Sequence, residues 1–408
     1  NIVKYLKVRG SYGEVGNDQI GGDRFLYLPS SYGAASDSGV NKYNFGLASN
    51  PYTSLMIVEN KIGNPDLTWE KAKKMNVGVD INLFNNCLTA SFDIFKEKRN
   101  NILANRSTSP MIIGANLPAY NFGEMENRGW EMDLNFRHHI QDFHYWARFN
   151  YSFARNEIIY MDEVQKRYDY QMTTGRRKNQ FFGLIFDGYY NSWEEINALD
   201  RPKSSWSGNQ LQPGDVKYVD VNQDGVIDDY DMVPIGYTPV PEIIYGFSFG
   251  AQYKGFDFSI LFQGADNVSI KYFGRSMWPF AKGEESAKSL IKERWTQERY
   301  EAGEKITFPR LSLNPNGETD HNYRPSTLWI RDASYLRLKN LEVGYTFTGG
   351  FVKRLNLNSV RLYFNGSNLF TWTDVVDLDP EAPSRSGNVE INTYPLQKVY
   401  NIGLNINF

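Results

Sequence analysis

The chain has 408 residues, more than one ordinary domain, and 15% of them are Phe, Trp or Tyr. Its formal net charge of −3 gives no electrostatic reason to expect a nucleic-acid partner. No segment approaches the ~20 consecutive apolar residues of a transmembrane helix. Composition therefore argues against a helical membrane protein and a nucleic-acid-binding protein. The mean hydropathy of −0.52 is still compatible with a membrane β-barrel, because only half of each strand faces lipid.

The first residues alternate between apolar and polar side chains, as in a β-strand with two different faces. One face carries Leu6, Val8, Gly10 and Tyr12, and the other carries Lys7, Arg9 and Ser11. No signal-peptide pattern precedes this strand, so we expect a preceding part of the protein that carries any export signal.

The same alternation continues in pairs of segments along the chain. The predicted strands include 76–83 and 88–94, 130–137 and 143–153, 245–253 and 256–263, and then 341–347, 360–364 and 400–408. We count roughly eleven strands, each near the ~9–11 residues that cross a membrane when tilted. Leu336 and Leu338 have the opposite parity to Leu341, and a β-bulge near Lys339-Asn340 would place them on the same face.

Short and long connections alternate between these strands. The short ones lie at 85–86, 139–142, 254–255 and 349–357, and the long ones at 99–127, 155–242, 264–333 and 371–397. Short periplasmic turns and long extracellular loops are typical of a transmembrane antiparallel β-barrel. A soluble β-sandwich would also alternate, but it would have to bury its aromatic faces against each other. We therefore predict an all-β membrane barrel, with a short helix opened by Ser192 in the longest loop.

One loop has the spacing of a calcium site. Residues 220–231 fit the pattern D-x-N-x-D-G-x-I-D-x-x-D, and Ca²⁺ prefers such hard oxygen ligands. The predicted ligands are the side chains of Asp220, Asn222, Asp224, Asp228 and Asp231 and the backbone carbonyl of Val226. The bound Ca²⁺ or similar ion would brace the loop structurally. The alternative is a solvated Asn/Asp/Gly turn.

Other candidate chemistry is weaker. His138, His139 and His144 cluster at a turn, where solvated histidines are favoured over a zinc site. No nucleophile motif or phosphate-binding loop occurs, so we predict no catalytic residues and no enzyme. Charged residues on the polar strand faces would line the barrel and tune its wetting and selectivity, or simply solvate the wall. They are Asp80, Asp93, Glu131, Asp133, Arg137, Arg148 and Asp257.

Several motifs, in order along nearly the whole chain, carry a family resemblance. They are Asn64-Pro-Asp-Leu-Thr-Trp-Glu-Lys71, Asn127-Arg-Gly-Trp-Glu131, Gly214-Asp215 before the cation loop, the segments 236–264 and 333–345, Asn368-Leu-Phe370 and the aromatic Phe408. With these motifs the chain resembles the SusC/RagA-type TonB-dependent outer-membrane transporters of Bacteroidetes.

The resemblance implies that residues 1–408 are the C-terminal half of a plugged barrel of about 22 strands. Signal peptide, TonB box, plug and first-half strands would precede residue 1. It also implies an outer-membrane location, a SusD-like surface lipoprotein, energy from TonB–ExbB–ExbD, pairing with the N-terminal half of the barrel, and import of a glycan or oligopeptide. The long extracellular loop regions 155–242, which contains the cation loop, and 264–333 would contact the lipoprotein and the substrate.

Two further expectations follow from the resemblance. Phe408 resembles the C-terminal aromatic residue that the outer-membrane assembly machinery recognises. The alternatives to nutrient import are a surface-exposed binding or adhesion barrel and a siderophore or cofactor receptor.

Overall fold

The computed structural model describes residues 2–18, 26–28, 33–34, 42–47, 52–55, 57–58, 63–108, 117–206, 211–272, 278–280, 289–312, 320–376, 378–381 and 395–408. Ten of its strands form one antiparallel sheet in which neighbours in space are also neighbours along this series. We number them β1 (Val3–Asn17), β2 (Glu70–Leu83), β3 (Leu88–Ala104), β4 (Tyr120–Ile140), β5 (Phe143–Tyr160), β6 (Ile243–Tyr253), β7 (Phe256–Asp266), β8 (Tyr335–Phe347), β9 (Ser359–Thr373) and β10 (Val399–Asn407). We call this sheet the wall.

The connections contain shorter elements. The small strands are Gly33–Ala34, Lys42–Phe45, Tyr52–Leu55, Ile57–Val58, Phe182–Gly183, Phe186–Tyr189, Lys203–Ser204, Val216–Tyr218, Val226–Ile227, Val233–Pro234, Ser269–Lys271 and Ile330–Asp332. The helices are α1 (Trp193–Ile196), α2 (Gln297–Glu301) and α3 (Phe351–Arg354), with 3₁₀ turns at Asp169–Gln171, Asp229–Asp231, Ser289–Glu293 and His321–Tyr323. The hydroxyl of Ser192 accepts from the backbone N–H of Glu195 at 3.3 Å, so the predicted cap is present. Among the described residues, no helix is both long and apolar enough to cross a membrane.

The two faces of the wall differ sharply in chemistry. Val8, Val79 and Phe92 lie side by side across three strands, and the next row on the opposite face contains Arg9 and Asp93. The apolar face is not covered by the described chain, since Ile402 remains 80% exposed. Such an extended uncovered apolar surface is stable when it contacts lipid. We call the opposite, polar face the inner face.

The structure moves several of the predicted strand ends. The described sheet has ten strands, where the sequence predicted roughly eleven of membrane-spanning length. Several strands are longer than predicted: β3 ends at Ala104, β4 begins at Tyr120 and β5 ends at Tyr160. The long connections are therefore 18–69, 105–119, 161–242, 267–334 and 374–398. All of them lie at one rim, and all the short turns lie at the other.

The predicted bulge is confirmed. Leu261 pairs with Asn340 and Phe262 pairs with Leu338, so Lys339 is the extra residue in β8. Because side-chain direction has a period of two residues, one inserted residue restores Leu336 and Leu338 to the apolar face.

The main hydrophobic core lies above the wall, in the long connections. The outer layer, which we define as the described residues of 161–242, 267–334 and 374–381, buries its own apolar cluster. Leu184 and Val216 are fully buried there, and Phe308 is 1% exposed. The described residues of these three connections thus form packed structure at the long-loop rim.

Candidate functional site

The inner face holds its charges in networks that join neighbouring strands. At one edge, Nη1 of Arg9 donates to Oδ1 of Asp93 at 2.6 Å, and its Nε donates to Oδ2 of Asp80 at 3.2 Å. The hydroxyl of Ser91 donates to the same Asp80 carboxylate at 2.8 Å. A Cβ at Gly78 would lie 2.5 Å from Oδ1 of Asp93. The absence of a side chain at Gly78 therefore makes room for this network.

A similar network crosses β7, β8 and β9. Nε of Arg361 donates to Asp257 at 2.9 Å, and its Nη2 donates to Glu342 at 2.6 Å. Asn365 adds a hydrogen bond of 3.1 Å to the second oxygen of Glu342. Gly344 leaves space here in the same way, since a Cβ would lie 2.7 Å from Asp257. One guanidinium thus bridges two carboxylates that come from different strands.

The seven predicted inner-face residues are therefore mostly paired. Asp80, Asp93 and Asp257 belong to the two networks above, and Arg148 binds Asp133 at 3.0 Å. Glu131 and Arg137 are exposed. The arrangement makes a polar, hydrated wall in which most of these charges contact an opposite charge, and a role of these residues in selectivity stays a prediction. Glu342 and Arg361 were not among the predicted residues, although both share the strand parity of the other inner-face residues.

Two buried ion pairs attach the outer layer to the wall. Glu242, which is 5% exposed, accepts from Nε and Nη2 of Arg155 at 2.9 and 2.8 Å and also from Arg177. Arg337, which is 2% exposed, donates to Asp379 at 2.6 Å. Buried charges need such partners, because an unpaired one loses its hydration without compensation.

Within the outer layer, Asp215 and His321 connect segments that are far apart in sequence. Asp215 is 2.6 Å from Nε of Arg310 and accepts from the amide of Asn322 at 2.7 Å. His321 contacts the carbonyl of Val216 through Nε2 at 2.8 Å and the hydroxyl of Ser204 through Nδ1 at 2.9 Å. A carbonyl can only accept, so Nε2 carries a proton, and in the neutral imidazole Nδ1 then accepts from the Ser204 hydroxyl.

The environment of His321 disfavours its charged form. Burial lowers the pKa of His321, although Asp215 and Asp320 oppose this effect. His321 was not among the predicted site residues, because a lone histidine in a loop carries no spacing signal. Gly214-Asp215 was the only local cue to this network: Gly214 has a φ of +92°, and a Cβ there would lie 2.5 Å from the Trp295 ring.

The predicted cation loop is compact and closed by its own hydrogen bonds. Asp231 is fully buried, and its carboxylate accepts from the backbone N–H groups of Val221 at 2.8 Å and Asp228 at 2.9 Å. Asp220 accepts from Gly225 at 2.8 Å, and Asn222 accepts from Asp224 at 3.0 Å.

The loop is rich in carboxylates, and they influence one another. Burial raises the pKa of Asp231, and the charge of Asp220 acts in the same direction, whereas backbone hydrogen bonds lower it. In the described part of the chain, no three His, Cys, Asp or Glu side chains converge in a geometry that would hold a metal ion. The six predicted ligands are thus gathered in one loop, with several of their side-chain oxygens turned to backbone N–H groups.

The predicted histidine cluster lies at the β4–β5 turn. The rings of His139 and His144 stack with centroids 5.4 Å apart, and His138 contacts the Tyr145 hydroxyl at 3.3 Å. All three histidines are exposed. They belong to an aromatic group at the short-turn rim.

Comparison with known proteins places this architecture in a family. The family model described as TonB dependent receptor-like, beta-barrel, matches residues 1–369. TonB-dependent receptor P3 of Formosa agariphila is 27% identical over 427 residues, which cover 100% of this chain and 40% of that protein. TonB-dependent receptor SusC of Bacteroides thetaiotaomicron is 26% identical over 414 residues, which cover 100% of this chain and 38% of that protein.

A solved structure has the same fold. The RagAB peptide importer in its open-open state superposes with a TM-score of 0.70 at 23% identity, covering 100% of this chain and 40% of that chain. The chain thus spans about two fifths of the length of the relatives that it matches. These relatives are receptors and an importer, and SusC-type proteins lie in the outer membrane, which locates the wall there. The predicted resemblance is confirmed: the chain belongs to the family of TonB-dependent receptor β-barrels.

Proposed function

We propose that the chain forms part of the wall of a SusC-like importer that carries an oligosaccharide or oligopeptide nutrient across the outer membrane. The observation that supports this most directly is the inner face, which is polar from β1 to β10 and holds most of its charges in ion pairs. A water-lined surface of this kind lets a hydrated nutrient pass without strong binding at one point. Import breaks no covalent bond, so the proposal needs no catalytic residue.

Energy coupling and partners belong to the same proposal. In the full-length protein we expect TonB, with ExbB and ExbD, to drive transport, and a SusD-like surface lipoprotein to cover the long-loop rim. The packed core of the outer layer supports this, because it gives a partner a folded surface to contact. Exposed apolar residues on that layer, including Trp193 at 51% and Leu199 at 105%, are suited to such a contact.

The import proposal is tested by uptake in cells that express the full-length protein. Labelled oligopeptides and oligosaccharides are supplied separately, with and without an uncoupler of the inner-membrane proton gradient. We expect one of the two substrate classes to enter, and we expect the uncoupler to abolish its entry. Surface binding without entry would instead favour an adhesion barrel, and uptake of only a metal–siderophore complex would favour a siderophore receptor.

We further propose that residues 220–231 bind Ca²⁺ as a brace. The donor set suits a hard cation, with side-chain oxygens from Asp220, Asn222, Asp224, Asp228 and Asp231. A short parallel pairing uses the carbonyls of Gly225 and Ile227. Carbonyls alternate in direction along an extended segment, so that of Val226 is directed away from this pairing. A bound cation would also relieve the repulsion between the buried Asp231 and its neighbours.

Metal analysis of the purified full-length protein tests this brace. We expect bound calcium in the wild type and its loss in Asp224→Ala. The matched control is Asp229→Ala, since Asp229 lies in the same loop but outside the proposed ligand set. Equal calcium content in the wild type and Asp224→Ala would contradict the proposal.

A further inference from the structure

A lateral row of positive charges crosses three strands on the apolar side of the wall. Lys96 of β3 is directly opposite Arg128 of β4, and Arg128 is directly opposite Arg155 of β5. The row immediately below, on the same face, is the apolar series Ile94, Trp130 and Phe153. The guanidinium of Arg155 lies over the Phe153 ring at 5.4 Å, which confirms that both point to the same side.

The height of this row matches the membrane surface. Phe143 begins β5 at the short-turn rim, and ten residue steps separate it from Phe153. At ~3.3 Å per residue and a tilt of ~40°, these steps rise about 25 Å, which is the height of the apolar band of such barrels. Arg155 lies one row higher, and the long-loop rim is the outer side. The row is therefore level with the headgroups of the outer leaflet.

Two more arginines extend the row sideways. A cavity beside β5 is lined by Arg128, Arg155, Arg176 and Arg177 together with Glu157. Within the described chain, Arg176 has no carboxylate within ion-pair distance, whereas Arg155 and Arg177 share the buried Glu242.

The nearby carboxylates do not balance this set of cations. Lys96 binds Glu126 at 2.9 Å, and Arg128 lies 4.0 Å from Glu157. With Glu242, three carboxylates stand against five cations, which leaves an excess of two positive charges. Like charges directly opposite on neighbouring strands repel each other, so the wall carries this row at a cost in stability. An anion at the same height would remove that cost.

We propose that Lys96, Arg128, Arg155 and Arg176 form a binding site for the phosphate of a phosphorylated lipid in the outer leaflet. Guanidinium groups bind phosphate oxygens in pairs of parallel hydrogen bonds, which suits a cluster of arginines. The apolar row below, with the Trp130 and Tyr151 rings stacked at 4.6 Å, gives the acyl chains a flat aromatic surface. A lipid would contact the cations with its headgroup and the apolar row with its acyl chains, whereas a free anion would contact the cations alone.

The test measures phosphorylated lipid that stays bound to the full-length protein after purification in mild detergent, by native mass spectrometry. The variant is Arg128→Gln combined with Arg176→Gln, since neither residue holds Glu242. The matched control is Arg137→Gln combined with Arg148→Gln, which likewise removes two positive charges, but from the inner face of β4 and β5. We expect about tenfold less retained lipid in the double variant and wild-type retention in the control. Equal retention in all three proteins would overturn the proposal.

A second arm separates lipid from free anion. Inorganic phosphate and a phosphorylated lipid are titrated against the same delipidated protein in detergent micelles. We expect the lipid to bind at least tenfold more tightly than inorganic phosphate, because the acyl chains add apolar contacts. Equal affinities would overturn the assignment to a lipid. Gel mobility before and after heating confirms that each barrel is folded, and Arg176→Gln alone, outside the wall strands, serves if the double variant does not assemble.

Discussion

Single buried residues hold the outer layer together. His321 contacts both Val216 and Ser204, and each of these residues lies more than a hundred positions before it in the chain. In its neutral form Nε2 donates one of these hydrogen bonds and Nδ1 accepts the other. The charged groups around it are Asp215, Asp320 and Arg324, and burial outweighs the two carboxylates.

This environment predicts a pH-dependent outer layer. The folded pKa of His321 lies below its ordinary value of 6.5, so the unfolded layer takes up a proton first as the pH falls. The stability from neutral His321 is complete above pH 6.5 and decreases below it, by up to about 1.4 kcal/mol per pH unit until the folded pKa is reached. Hydrogen exchange of residues 211–227 at pH 7.5 and 5.5 measures this loss.

The control for this effect is His321→Gln, whose side chain can donate and accept but does not titrate in this range. We expect its outer layer to be somewhat less stable at pH 7.5 and to lose much less protection between the two pH values. A wild-type layer with the same exchange rates at both pH values would contradict the prediction.

At the scale of strands, Arg361 is the centre of the network on β7, β8 and β9. Replacing it by Gln leaves Asp257 and Glu342 without their shared cation. The Arg361 side chain is 23% exposed. We therefore expect the free energy of unfolding to fall by about 2 kcal/mol, which lies between the values for exposed and fully buried ion pairs. Urea unfolding of the full-length barrel in detergent measures this. In the more exposed pair of Arg148 with Asp133, we expect Arg148→Gln to lower the free energy of unfolding by less than about 1 kcal/mol.

The bulge at Lys339 gives a prediction about deletions in β8. Without Lys339, Leu338 and Leu341 still face the lipid and Asn340 still faces inward, because the deleted residue is the extra one. Deletion of Val343 has no such compensation and turns one half of the strand over. We therefore expect the Lys339 deletion to assemble in the outer membrane and the Val343 deletion to fail, as judged by heat-modifiable gel mobility. Failure of both would show that the bulge itself is required.

At the scale of the whole molecule, the wall and the outer layer have different surroundings and are joined by buried ion pairs. The wall faces lipid, whereas the outer layer has an ordinary aqueous fold with its own core. Glu242 fastens them, because it joins β5 through Arg155, the segment after β5 through Arg177, and the start of the next outer connection through Asn267 at 3.1 Å. Removing the charge of Glu242 should destabilise the outer layer while the wall still folds.

Glu242→Gln tests this fastening. The change leaves the guanidinium groups of Arg155 and Arg177 around a neutral amide. We expect the outer layer to lose about 3 kcal/mol of stability, as when one partner of a buried ion pair is removed. Proteolysis in the 161–181 segment should accelerate, while heat-modifiable mobility should persist. The control is Glu157→Gln, on the exposed outer surface of β5, where we expect wild-type proteolysis. Unchanged proteolysis in Glu242→Gln would show that the core alone holds the layer in place.

The sequence alone determined the features that depend on neighbouring residues. Alternation of apolar and polar side chains gave the strands, their two faces and the alternation of short and long connections, because strand geometry repeats every two residues. The same reasoning located the bulge near Lys339, and contiguous spacing located the cation loop.

Only the tertiary structure decided which charges meet. Arg9 lies 84 positions from Asp93, and Arg361 lies 104 positions from Asp257, so their pairing depends on the register of strands distant in sequence. The extension of strands beyond the apolar band and the core of the outer layer were likewise invisible in the sequence. The strand extensions are polar on both faces, as at Lys96, Glu97 and Lys98, and the core of the outer layer comes from segments distant in sequence, so no simple period marks either. The row at Lys96, Arg128 and Arg155 exists only because three strands align in that register.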